Sequence, residues 1–210
     1  MKFKNILWIL FVFLAVSIGL YPVIYLFVDM TSNGLLSTKP LEISHNQFYL
    51  MVFYSHILFG GFSLLTGWSQ FNKKIRNDRI KLHRLLGKIY IVSVLLSGIC
   101  GLYISFYATG GMVSNFGFGL LAIFWIYFTL KAYFAIRKIE ILNHQRWMIR
   151  SYALTFAAVT LRLYLPILPI ILQTDFISAY RIISWMCWIP NLLVAEYVFI
   201  SKRNLADELA

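Results

Sequence analysis

The chain has 210 residues, of which 60% are hydrophobic and 13% charged, whereas soluble globular proteins carry about a quarter charged residues. Six mainly apolar segments of roughly 20 residues, each long enough to cross a ~30 Å hydrocarbon core, take up most of the length. This composition excludes a soluble enzyme, a nucleic-acid-binding domain and a disordered chain, and no polar connection is long enough to fold alone.

The expected fold is all-α: one polytopic membrane bundle over residues 1–210, with transmembrane spans near 7–28, 48–69, 88–108, 115–136, 150–173 and 179–200. The formal net charge of +11 is unevenly distributed. Sixteen of the 19 Lys and Arg residues fall at the two ends and in two alternate connections. These are Lys2 and Lys4; Lys73, Lys74, Arg76, Arg79, Lys81, Arg84 and Lys88; Lys131, Arg137, Lys138, Arg146 and Arg150; and Lys202 and Arg203. Lys39 and Arg181 lie on the opposite side, and Arg162 lies inside the fifth span. Such a bias over short loops predicts that both termini are cytoplasmic. The basic inner face then meets anionic lipid headgroups rather than nucleic acid.

In chain order, Lys2 and Lys4 lead an apolar run that continues past Ser17-Ile18-Gly19 to Val28, the pattern of an uncleaved signal anchor. Residues 29–47 form an outer loop with turn signals at Asn33-Gly34 and Lys39-Pro40. The second span carries His56, Gly60, Ser63, Gly67 and Gln70 at steps of four and three, which keeps all five on one helical face. Membrane helices pack through small and polar residues, since lipid gives no hydrophobic drive between them. The same pattern recurs in the third span (Gly87, Ile91, Val94, Gly98, Gly101, Ser105) and in the fifth (Ser151, Thr155, Ala158, Arg162). The second, third and fifth spans are therefore expected to form the inner bundle, with the Leu-, Ile- and Phe-rich first and fourth spans more peripheral. Residues 70–87 and 137–149 read as basic inner loops, and Thr109-Gly110-Gly111 opens an outer hairpin. Thr174-Asp175 begins the last outer turn. Cys100 and Cys187 fall within spans as apolar fillers, so no disulfide is expected.

Four polar groups stand out from this apolar background. Arg162 lies roughly 18 Å and 16 Å from the two ends of its span. A cation at that depth faces a partner or a wet cavity. No carboxylate is expected at its level, because Asp29, Glu42 and Asp175 are at the outer surface and Glu196 near the inner one. Pro166 removes the intrahelical donor for the Arg162 carbonyl, so the helix is expected to break there. Two readings stay open, an anion pocket and a structural Arg bonded to neighbouring carbonyls. His56 sits on the small-residue seam, roughly 12 Å below the outer end of the second span. There an imidazole can hydrogen-bond a quinone or substrate, ligate a haem iron, or simply tie helices together.

His83 and His144 enter the third and fifth spans through matching patterns, each a His, then an Arg, then a Tyr about two turns on. With Arg84, Arg146 and Arg150 they form an inner group that Glu196 can reach. Two His on parallel helices suit a b-type haem with Arg on its propionates, and equally suit lipid phosphate. The sequence contains no His-x-x-x-His, Cys pair, nucleophile elbow or phosphate loop.

The stretch from His56 to Arg162 resembles a family of bacterial multi-span proteins catalogued as domain of unknown function 2306. The resemblance rests on His56 with Gly60, Gly67 and Gln70, on His83-Arg84-x-x-Gly87-x-x-Tyr90, and on His144-x-Arg146-Trp147-Met148-x-Arg150-Ser151-Tyr152-Ala153-Leu154 running to Thr160-Leu161-Arg162. Gln145 departs from the basic residue expected after the His. The resemblance implies an integral protein of the bacterial cytoplasmic membrane with a polar face built from these residues, and it carries no activity. The expected cofactor-binding set is His56, Gln70, His83, Arg84, His144, Arg146, Arg150, Arg162 and Glu196, serving a haem b or quinone in membrane electron transfer. The competing readings are a small transporter of an anionic or amphipathic solute, with Arg162 at the turning point of a broken fifth span, and an assembly partner without a ligand.

Overall fold

A computed structural model describes residues 3–28 and 34–201. Lys2, Asp29, Asn33, Lys202 and Arg203 lie outside the described residues. Nearly all of the described chain is helical, with no strand among the described residues. The helices are α1 (Phe3–Leu20, continued as a 3₁₀ turn over Tyr21–Leu26), α2 (Leu41–Ser44), α3 (Gln47–Gly67, continued over Trp68–Phe71), α4 (Lys73–Asp78) and α5 (Ile80–Ser105). They are followed by α6 (Met112–Arg137), α7 (Ile141–Thr155), α8 (Ala157–Ile171), α9 (Phe176–Met186) and α10 (Ile189–Val194), which runs into a π-helical turn, Ala195–Ile200. Six helical stretches are long and apolar enough to cross a membrane: Asn5–Leu26, Gln47–Phe71, Ile80–Ser105, Met112–Arg137, Ile141–Ile171 and Phe176–Ile200. An apolar run in lipid becomes a helix because only a helix satisfies its own backbone.

Two spans begin earlier than hydropathy alone marks, at Ile80 rather than near 88 and at Ile141 rather than near 150. The basic stretches 79–88 and 141–150 are helical extensions rather than loops. His83 and His144 are each the fourth residue of their helix. The polar segment between the second and third spans contracts to α4, capped by Asn72, whose side chain accepts from the amides of Lys74 and Ile75.

The chain divides into two compact units, Met1–Ile104 and Ser105–Ala210. In the first, α1 and α3 approach to backbone contact. A Cβ added at Gly61 would lie 2.6 Å from the Gly19 carbonyl oxygen, and one at Gly19 would lie 2.8 Å from Leu65 Cγ. Gly19 and Gly61 let the backbone of the first span in at that one point, while most of its length stays exposed, Ala15 and Gly19 being the buried residues described in α1. Leu36, Tyr49 and Phe53 form a buried cluster beside Tyr25, Ile43 and Tyr103.

In the second unit, α6 buries Ser114, Gly117, Ala122, Trp125, Thr129, Ala132 and Ala135 and packs against α7 and α9. The fourth span is thus a packing partner and not a peripheral helix. Its small and hydroxyl residues fall on one face, and the Phe, Leu and Ile that dominate its composition fall elsewhere. A Cβ at Gly117 would meet Ser184 Oγ at 2.7 Å. Gly110 and Gly111, at φ +100° and +71°, make the turn into α6 in a region that other residues rarely adopt.

The fifth span does break, though not after Arg162. Helix α8 runs through both Pro166 and Pro169, and the interruption lies at Phe156, between α7 and α8. There the Val159 amide bonds the Phe156 carbonyl, three residues back, the tighter 3₁₀ pattern. Hydroxyls crowd this point. Thr155 Oγ1 donates to the Ser151 carbonyl, back-bonding that bends helices, and Thr160 Oγ1 lies 3.1 Å from the Phe156 carbonyl oxygen. The sixth span is interrupted at Cys187–Trp188, just ahead of Pro190 in the first turn of α10.

Two outcomes test this packing. Gly61→Val forces a side chain onto the Gly19 carbonyl and is expected to cost about 1–3 kcal/mol, whereas the lipid-facing Leu58→Ala leaves the thermal midpoint close to wild type. Burial lowers the Lys39 ammonium to about 8 from its ordinary 10.5. Between those values the folded state binds fewer protons than the unfolded one, so stability rises as pH goes from about 8 towards about 10. Lys39→Met flattens that rise in a pH series of thermal melts.

Candidate functional site

The polar side chains singled out in the sequence group into one constellation within each unit. In the first unit the seam of α3 docks on α5. His56 Nδ1 lies 2.8 Å from the Ser97 carbonyl oxygen, and Ser97 Oγ donates back to the His56 carbonyl at 2.8 Å. The contact is close because Gly60 stands one turn on: a Cβ there would be 3.3 Å from Ser97 Oγ. Two turns further along α3, Ser63 and Gly67 are buried, and Gln70, buried in the following 3₁₀ turn, donates a long 3.5 Å bond to the His83 carbonyl. Gly87 admits that side chain, since a Cβ there would meet Gln70 Oε1 at 3.2 Å. The structure thus brings Gln70 to the backbone of His83, while Arg84 points to the exterior.

In the second unit α6 and α7 share a ladder of buried polar contacts. His144 Nδ1 lies 2.8 Å from the Ala132 carbonyl oxygen. Ser151 Oγ and Thr129 Oγ1 are 2.6 Å apart, and Trp125 Nε1 donates to Thr155 Oγ1 at 2.9 Å. Ser151 and Thr155, read from the sequence as an inward face, do face inward, and the helix they meet is the fourth span. Arg150 donates from Nε and Nη2 to the two oxygens of Glu196 at 2.5 and 2.9 Å, a bidentate fork. Its guanidinium also stacks 4.5 Å from the centre of the Trp147 ring. Glu196 lies in the π-helical turn that ends the sixth span. Gln145 and Arg146, which follow His144 in α7, are half-buried. Arg162 donates from Nη1 to the Ala158 carbonyl, one turn back, at 2.9 Å.

One group was missed in the sequence. Asn191 Nδ2 donates to the carbonyls of Ala153 and Cys187 at 3.2 and 3.0 Å and to Thr160 Oγ1 at 3.0 Å. Thr160 Oγ1 in turn donates to the Cys187 carbonyl at 2.6 Å. Ala153 and Cys187 flank the two helix interruptions, so Asn191 and Thr160 tie one break to the other. The available signal was Pro190-Asn191, a helix breaker followed by an amide, in the middle of an apolar span. Among the described residues no three His, Cys, Asp or Glu side chains come together as a metal-binding group.

The two imidazoles share one chemical feature. Each has Nδ1 against a main-chain carbonyl, which only accepts hydrogen bonds. Nδ1 therefore carries the proton, and in the neutral ring Nε2 is the nitrogen without one. Metal-ligating His residues are commonly fixed in this manner.

Replacing Asn191 with Leu removes the side-chain donor between the breaks. The expected loss is about 1–2 kcal/mol of stability, read as a lower thermal midpoint in detergent. An unchanged midpoint would show that the breaks hold without the tie.

No curated protein and no solved structure matches the chain. A family model described as predicted membrane protein (DUF2306) matches residues 53–199, a stretch containing every residue of both constellations. Six helices of membrane-spanning length agree with that description, and the chain belongs to this family of multi-pass membrane proteins.

Proposed function

We propose that the protein serves electron transfer within the membrane, holding a haem b or a quinone through the Nε2 lone pair of His144. The observation that carries this reading is the bond of His144 Nδ1 to the Ala132 carbonyl, 2.8 Å. The Nε2 lone pair would hold a haem iron or accept from a quinol hydroxyl. When bound, either group supplies reversible electron uptake, which no side chain here provides. Arg146, half-buried two residues from His144 in sequence, would meet propionates or quinone carbonyls. Arg150 serves differently: its fork is engaged by Glu196, so it positions α7 against the end of the sixth span. The charge bias supports a bacterial inner membrane with both termini on the cytoplasmic side.

The paired interruptions at Phe156 and Cys187–Trp188 favour a second reading, passage of an anionic or amphipathic solute, since discontinuous helices build transporter sites. An assembly role without a ligand is the third.

Protein expressed with ample haem and purified in mild detergent is expected to show a Soret band, or to release a quinone on solvent extraction. His144→Ala is then expected to lose that signal with helical content unchanged. Neither a Soret band nor an extractable quinone in the wild type overturns the redox reading.

A further inference from the structure

The connection between the second and third spans is an ordered platform of one sign of charge. Residues 70–88 hold seven Lys and Arg against a single acid, Asp78. Lys73, Lys74, Arg79, Lys81, Arg84 and Lys88 are all exposed. Among the described residues none of these six is engaged by a carboxylate. The platform is held in shape by the Asn72 cap on α4 and by half-buried Ile75 and Arg76.

Lys81, Arg84 and Lys88 follow one another at steps of three and four, so they form a stripe on one face of α5, roughly 10 Å long. The stripe does not end at the last cation. It continues on the same face as exposed Leu85 (55%), Ile89 (38%), Val92 (55%), Leu96 (40%) and Ile99 (62%). Cations leading directly into an apolar strip match a molecule with a charged head and a hydrocarbon tail. Free phosphate uses the first half of that surface only, and a nucleic acid has no use for the second.

We propose that this face of α5 is a binding site for an anionic phospholipid, with the phosphate on Lys81, Arg84 and Lys88 and an acyl chain along Ile89, Val92 and Leu96. Each cation near an anionic leaflet contributes on the order of a tenfold-or-less preference, so three together select anionic over zwitterionic lipid. The site is independent of any cofactor at the imidazoles.

The test uses the full chain purified in detergent and transferred to bilayer discs of phosphatidylcholine, with or without one quarter phosphatidylglycerol. The expected result is a higher thermal midpoint in the anionic discs and phosphatidylglycerol retained through purification. Both are expected to fall in Lys81→Gln/Arg84→Gln/Lys88→Gln, with retention down about tenfold or more. The charge-keeping Lys81→Arg/Lys88→Arg retains the preference and shows that folding is intact. Should the triple variant not fold, Arg84→Gln alone is read for a partial loss of retained lipid. Equal midpoints and equal retention in the two discs overturn the proposal. So does a preference that survives the triple variant, or a full stabilisation by inorganic phosphate in neutral discs.

Discussion

A polypeptide in hydrocarbon must satisfy its own backbone, because no water is present to do so. The second unit meets that constraint where it is hardest to meet. Two spans lose helical continuity, at Phe156 and at Cys187–Trp188. In an unbroken helix the Ala153 carbonyl would accept from the amide four residues on. Here it accepts from the Asn191 side chain, which also serves the Cys187 carbonyl. The breaks are thus closed by side chains on adjoining helices rather than by solvent, and the interruptions persist as defined geometry. The positions of Thr160 and Asn191 follow from that requirement.

The same economy of polar groups organises the rest of each unit. Glycines set how closely backbones approach, as Gly19 and Gly61 do between α1 and α3. Hydroxyls and imidazoles then bond across the short gaps that result, Ser97 to His56 in one unit and Thr129 to Ser151 in the other. Trp125, the largest side chain on the buried face of α6, reaches Thr155 with its indole N–H, so even this bulky ring enters the interface with its polar atom satisfied. Arg150 shows the charged version: a carboxylate takes its fork and an aromatic face covers it, which keeps a guanidinium inside the helical array without exposing an unpaired charge.

Much of this was legible in the sequence, and the parts that were not have physical reasons. The six spans follow from apolar length, and the seam from His56 to Gln70 from its helical spacing. The approach of Glu196 to Arg150 follows from depth alone. Span starts were misjudged because Lys81, Arg84, Arg146 and Arg150 lower hydropathy without breaking a helix, Arg and Lys being good helix formers. The fourth span looked peripheral because a few glycines and hydroxyls are outnumbered by Phe, Leu and Ile that face elsewhere. The break was expected at Pro166, where a donor is missing. It formed at Phe156 instead, where Thr155 and Thr160 offer hydroxyls to nearby carbonyls and Asn191 arrives from another helix. A partner that comes from 38 residues away in the chain leaves no local trace.

The orientation of His144 has a consequence for how this protein varies over time. The atom that holds its ring is the main-chain oxygen of Ala132, and every amino acid placed at position 132 brings the same oxygen. At His56 the Ser97 carbonyl is joined by a side chain, the Ser97 hydroxyl, 3.2 Å from the same ring nitrogen. The tautomer of the His144 ring is therefore inherited with the path of the backbone, out of reach of ordinary side-chain drift at position 132, and it changes only if the helix that carries the oxygen moves.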